Sequence, residues 1–244
     1  MQAWESDAIT LFARKHSEND AILEVFSKSH GRISAYVFGG TGSKKRAFLE
    51  PGQIINVAWE TKSPNYMGTF TRLETVVPIS TIMHDAAALC AIKCACELMH
   101  EVLPAEMAIE PLYDATQILI ESLTHDANWP AIYVRWEAGL LTHTGFGLDL
   151  TECALTGVKD DLAWVSPKTG RAACKAAGEP FKDKLLALPQ FLIDANTVIE
   201  KGDIADGLAL TGWFLERDVL GQGHLNMPET RARLIYALGR ADKL

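Results

Sequence analysis

The chain has no apolar run near the ~18 residues a membrane-spanning helix needs. Its opening, MQAWESDAITLFARKH, lacks the positive start and uninterrupted apolar stretch of a secretory signal. Cysteine is scarce: five residues, an odd number, in 244, which excludes a disulfide scaffold. These absences read as a cytoplasmic protein with reduced thiols. Also missing are a Gly-x-Ser-x-Gly elbow, a Gly-x4-Gly-Lys-Ser/Thr loop and a His-Glu-x-x-His helix. Gly39-Gly40-Thr41-Gly42-Ser43-Lys44-Lys45 carries glycines and lysines, but not at phosphate-loop spacing and with no helix expected behind it. The seven histidines show neither metal nor triad spacing. A non-enzyme without cofactor is expected.

Metal is argued against residue by residue. Cys90, Cys94 and Cys96 fall on one expected helix at a spacing that is not a zinc-ligand pattern, so they read as small buried hydrophobes. Cys153 and Cys174 each open a tight-turn segment, but the positions three residues on hold Thr156 and Ala177. Two thiolates do not make a structural zinc site.

One further absence is positive evidence. No carboxylate occurs from Val25 to Leu49, a stretch carrying Lys28, Arg32, Lys44, Lys45 and Arg46. The whole chain has a net charge of −8. Residues 1–78 are net +1, and the remaining 166 are net −9. A basic region kept on an acidic body suits local contact with a polyanion and argues against a bulk nucleic-acid coat.

Residues 1–78 read as all-β. Runs at 8–14, 21–26, 33–38, 54–60 and 66–73 are short, apolar or alternating, and rich in β-branched and aromatic residues. Five strands in about 75 residues leave no room for crossover helices and predict a small barrel of the oligonucleotide-binding (OB) type; an SH3-like barrel fits nearly as well. The glycine-rich segment 39–43 reads as a mobile loop. From residue 79 the apolar period changes to three and four, as at Ile82, Leu89, Ile92, Cys96, Met99 and Leu103. Ser80 or Thr81 is the expected cap of that first helix. A second helix opens at Pro111, and a third runs from Pro130 to Gly145. The fold class is therefore α+β, with a barrel over 1–78 and a helical domain over 79–244. An irregular insert at about 151–190 interrupts the helical domain, and helical spacing returns after Asp194.

In such a barrel Arg14, Lys15, Lys28, Arg32, Lys44, Lys45, Arg46 and Arg72 can converge on one groove and meet phosphates. Tyr36 and Phe38 are either base-stacking partners or barrel core.

The order of these parts, with several local signatures, resembles the RecO family of DNA repair and recombination mediators. The stretch AILEVFSKSHGRIS at 21–34, Gly39-Gly40 with its basic cluster, and Leu49-Glu50-Pro51-Gly52 are similar to the family's barrel. Arg135-Trp136-Glu137, GFGLDLTECALTG at 145–157, VSPKTGRAAC at 165–174 and LPQFL at 188–192 are similar to its helical half. The resemblance implies an N-terminal OB domain and a helical domain with a zinc-ribbon-like insert, which some members fill with four cysteines. This chain keeps two, and the insert is expected to lack metal. The implied activity is non-enzymatic. It comprises binding single- and double-stranded DNA, annealing complementary strands and, with RecR, loading RecA onto strands coated by single-strand-binding protein. Lys93 and Arg135 are candidates for the coating protein's acidic tail. The rival reading is an adaptor whose barrel docks an acidic partner; a nuclease would need carboxylates beside the basic region. No membrane partner is expected, and the implied location is cytoplasmic, at the nucleoid.

Overall fold

A computed structural model describes residues 2–63, 65–77, 82 and 84–244, the side chains of Ser43 and Lys44 apart. The expected cap at Ser80 or Thr81 and the Pro78 boundary lie outside the described residues. The packing divides the chain into two units, Met1–Thr124 and His125–Leu244, whereas the change of period lies at 78/79.

In the first unit five strands form a closed barrel in the order β1-β2-β3-β5-β4. They are β1 (Gln2–Lys15), β2 (Ala21–Ser27), β3 (Gly31–Val37), β4 (Ile54–Thr61) and β5 (Thr69–Val77). β1 is long enough to pair with β2 through its second half and with β4 through its first. The β3–β5 seam is a single parallel pair, Tyr36 with Thr69. This topology is OB-like. β5 starts three residues later than expected because Gly68 sits against the Trp59 indole with φ of 82°, where a Cβ would lie 2.4 Å from the ring. Only glycine tolerates both the left-handed backbone and that approach.

Ala8, Leu23, Val25, Ala35, Val37, Ile55, Val57 and Phe70 fill the barrel. Burying each large apolar side chain among them contributes roughly 1.5–3 kcal/mol. β2 is buried at all seven positions, which explains its continuous apolar reading: its outer face is covered too. Phe26 on that face meets Tyr113, and Glu24 meets His100.

The covering elements are α2 (Ala86–Val102) and α3 (Glu110–His125), which belong to the barrel's unit. Asp85 caps α2, its side chain accepting from the backbone N–H groups of Ala87 and Ala88. α2 buries Cys94 and Cys96, as expected for small hydrophobes. The Cys96 Sγ donates to the Thr10 carbonyl at 3.5 Å, and burial pushes its thiol pKa up. Ile118 on α3 is 58% exposed, whereas Leu112, Leu119 and Leu123 are buried.

In the second unit α4 (Trp129–His143) packs on α6 (Asp203–Phe214). Gly207 permits the approach, since a Cβ there would lie 2.8 Å from Val134. The insert is ordered by a three-stranded sheet in which β6 (Leu162–Val165) lies between β7 (Ala172–Cys174) and β8 (Leu186–Ala187), with one helical turn, α5 (Lys175–Gly178), after β7. Helical spacing after Asp194 resolves into α6, a π-helical turn at Leu215–Leu220 and a final helix, α7 (Glu229–Arg240). No helix among the described residues is long and apolar enough to cross a membrane.

Candidate nucleic-acid interface

The register separates the candidate cations into two groups. Lys28 and Arg32 flank the β2–β3 hairpin, whereas Arg14 and Lys15 pair with Ile22 and Ala21 at the opposite end of β2. Seven residues of strand place the two ends about 20 Å apart. The candidate cations therefore lie at two ends of the strand and do not all share one groove.

At the hairpin end the cations are already engaged. Lys28 Nζ lies 2.8 Å from Asp114 of α3 and 5.7 Å from the Tyr113 ring centroid. The hydrogen bond to Asp114 holds the Lys28 ammonium above its ordinary pKa. Arg32 donates from Nε to the Leu103 carbonyl at 2.9 Å and from Nη1 to Glu24 at 3.0 Å, tying β3 to the end of α2. Arg72 on β5 lies 2.6 Å from Glu5 and 3.6 Å from Glu74. A carboxylate at close range offsets the field that a cation presents to an approaching phosphate.

The far end differs. Among the described residues, no carboxylate lies within ion-pair distance of Arg14, Lys15, Lys45 or Arg46. The loop that presents the last two is not loose: Gly40 donates to the Val37 carbonyl, Thr41 to Asn19, and Gly39 to the Asp20 carboxylate at 2.9 Å. That Gly39 bond, with the Ser17 hydroxyl, holds the Asp20 carboxyl below its usual pKa. One helical turn, α1 (Ser43–Arg46), follows where none was expected. Lys45 Nζ donates to the Phe38 carbonyl at 2.8 Å. The Lys44 side chain lies outside the described residues.

Tyr36 and Phe38 are not barrel core. The inward residues of β3 are Ala35 and Val37, so Tyr36 faces outward, half-buried beside His16 with ring centroids 5.0 Å apart. Phe38 lies just past the strand and is 61% exposed.

A cavity of about 520 Å³ opens at this end, lined by Phe12, Arg14, Lys15, Arg46, Lys93 and Glu97 among others. Leu11, Ala13 and Leu49 add apolar surface, and Glu50 is its second carboxylate. Lys93 lies 3.9 Å from Glu97 on α2. Four cations against two carboxylates leave the cavity positive. Lys93, expected as a tail contact, thus borders the barrel's basic end, while Arg135 is exposed on α4 of the other unit. Phe12 escaped the sequence reading because simple alternation along β1 turns it inward.

The insert does not supply what a zinc ribbon needs. Burial works against ionisation of the Cys153 thiol. Hydrogen bonds from the Thr156 hydroxyl and from backbone N–H groups of Cys174, Leu155 and Thr156 outweigh it and draw the pKa down to about 6. The Thr156 Oγ1 also lies 3.7 Å from the Cys174 sulfur. Only two sulfurs, those of Cys153 and Cys174, are present in the insert, where a closed tetrahedral site takes four ligands. Among the described residues no group of three or more His, Cys, Asp or Glu could hold an ion.

Comparison with known proteins agrees with this architecture. Residues 1–79 match the family model "Recombination protein O N terminal", and residues 83–225 match "Recombination protein O C terminal". The chain is 42% identical over 241 residues to the "DNA repair protein RecO" of Phenylobacterium zucineum, covering 99% of each chain. It is 42% identical over 234 residues to that of Hyphomonas neptunium, covering 95% of this chain and 96% of the relative. A third relative, from Rhodospirillum centenum, is 39% identical over 234 residues, with 95% and 93% covered. Two family models in the right order, and full-length relatives near 40% identity, show that this chain belongs to the RecO family of DNA repair proteins.

Proposed function

We propose that the far end of the barrel, around Arg14, Lys15, Lys45 and Arg46, binds the phosphate backbone of single- and double-stranded DNA. The single observation that carries this reading is the contrast in pairing: Lys28, Arg32 and Arg72 have carboxylates at close range, and among the described residues these four have none. Cations whose charge no carboxylate offsets are the ones that gain most by displacing counterions from phosphate.

Annealing follows from the same electrostatics. Neutralising phosphates lowers the repulsion between two complementary strands, and contacts confined to the backbone leave the pairing edges of the bases free. The activity proposed is mediation rather than catalysis. With RecR, this binding would help load RecA onto strands coated by single-strand-binding protein, in the cytoplasm at the nucleoid. The acidic remainder of the chain is the part suited to protein partners, since it would repel DNA.

The test is annealing of two complementary oligonucleotides, one carrying a fluorophore and the other a quencher. The protein is expected to accelerate quenching at least about tenfold at low salt, with the gain fading as salt screens the contacts. No acceleration at any salt would remove annealing from its functions.

A further inference from the structure

We infer that Phe12 is the stacking platform of this interface, and that the cavity beside it takes an unpaired base of single-stranded DNA. The inference rests on the DNA-binding reading and names the part of the ligand that the cations do not explain.

The first argument is how Phe12 comes to face outward. Along β1, Thr10 pairs with Val25 and Phe12 with Glu24, so Leu11 is an extra residue, a β-bulge. Strict alternation would put Phe12 on the inner face with Ala8 and Thr10. The bulge reverses the phase, and Phe12 lands outside in register with Glu24, followed on the same face by Arg14. Bulges re-aim side chains in this way.

The second argument is exposure. The outer face of this part of the barrel is otherwise covered: Ile9 and Phe26 are fully buried, Ile22 and Glu24 nearly so. Phe12 alone among these is open, at 44%. Its ring is also braced. The His100 ring lies against it at 5.1 Å and 28°, and His100 Nδ1 is held by Glu24 at 2.6 Å. A large aromatic fixed from behind and open in front is what a stacked base requires.

The third argument is what surrounds it. Arg14, Lys15, Arg46 and Lys93 border the same cavity. Its volume, about 520 Å³, lies within the range of small-ligand sites and leaves room for a base with its sugar. An aromatic face among cations matches the alternation of base and phosphate in a single strand. An acidic peptide shares the charge but does not need the braced ring. A duplex keeps its bases stacked on one another and reaches only the cations, so the platform separates single from double strands.

The experiment compares the whole chain with Phe12→Ala and Phe12→Trp. It measures binding to a labelled oligo-dT and to a duplex of equal length by fluorescence anisotropy over a salt series. Phe12→Ala is expected to weaken single-strand binding roughly tenfold and duplex binding less than about twofold, with the salt slope unchanged, while Phe12→Trp retains the single-strand affinity. Unchanged single-strand binding by Phe12→Ala would overturn the platform while leaving the electrostatic site standing. Equal loss on both DNA forms, not restored by Phe12→Trp, would make the residue merely structural and overturn it as well. Selective loss of an acidic, apolar-ended peptide rather than oligo-dT would give the cavity to that ligand instead. If wild-type protein binds neither DNA, the underlying reading falls with it.

Discussion

Charge reversal at Arg14 and Arg46 together is expected to weaken binding to single-stranded DNA by roughly 100-fold or more at 0.1 M salt. Each reversal removes a phosphate contact and places a like charge there, and one close unit-charge interaction in water is about 1 kcal/mol. Four such changes amount to about 4 kcal/mol before screening by a Debye length of about 10 Å reduces them. The effect should be indifferent to base sequence, because phosphate contacts carry no sequence information. The controls are Lys28→Glu and Arg72→Glu, which alter the same net charge at residues engaged elsewhere. They should change affinity by less than about threefold, because screening weakens charges beyond a Debye length. Equal losses from both pairs, by anisotropy titration, would mean that net charge alone binds DNA and no site exists.

The second large effect is on stability. Glu137 of α4 is fully buried, and Arg231 of α7 is 6% exposed. They form a two-pronged pair, Nε to Oε1 at 2.8 Å and Nη2 to Oε2 at 2.9 Å. Thr211 of α6 donates to the same carboxylate at 2.5 Å, and Arg231 also donates to the Leu208 carbonyl at 2.7 Å. One ion pair thus fastens three helices of the second unit. Removing either partner strands a buried charge, so Glu137→Ala is expected to lower unfolding free energy by about 3–5 kcal/mol. The double variant Glu137→Leu/Arg231→Met should lose much less than the sum of its single changes, because no charge is left uncompensated. Urea unfolding followed by circular dichroism measures both, and simple additivity would contradict the account.

Much of this was legible in the residues. The spacing of β-branched and aromatic runs was enough to place five strands, because a barrel strand's alternation is a local property. β2 was found for a different reason, its burial on both faces. The helical face of α2 was equally plain from Ile92, Cys96 and Met99. Its cap was misplaced, since Asp85 competes with Ser80 and Thr81 and only the fold decides among them. The charge asymmetry marks a basic region but does not say which of its cations have a carboxylate beside them. Lys28, Arg32 and Arg46 are alike as letters; whether each is spent on Asp114, on Glu24 or on nothing is a fact of tertiary packing across 86 residues in one case and eight in another. Phe12 was hidden by one extra residue at Leu11, which reverses the in–out pattern without any Gly or Pro to announce it. Glu137 and Arg231, 94 residues apart, carry no local signal that they meet.

The central claim is that the protein holds DNA through a small, countable set of cations that, among the described residues, have no carboxylate beside them. The measurement that tests it most directly is the affinity for a labelled single strand at five or more salt concentrations. Four cations on phosphate predict a slope of log K against log salt of roughly −3. Binding whose slope is near zero, or no binding even at low salt, would contradict the account.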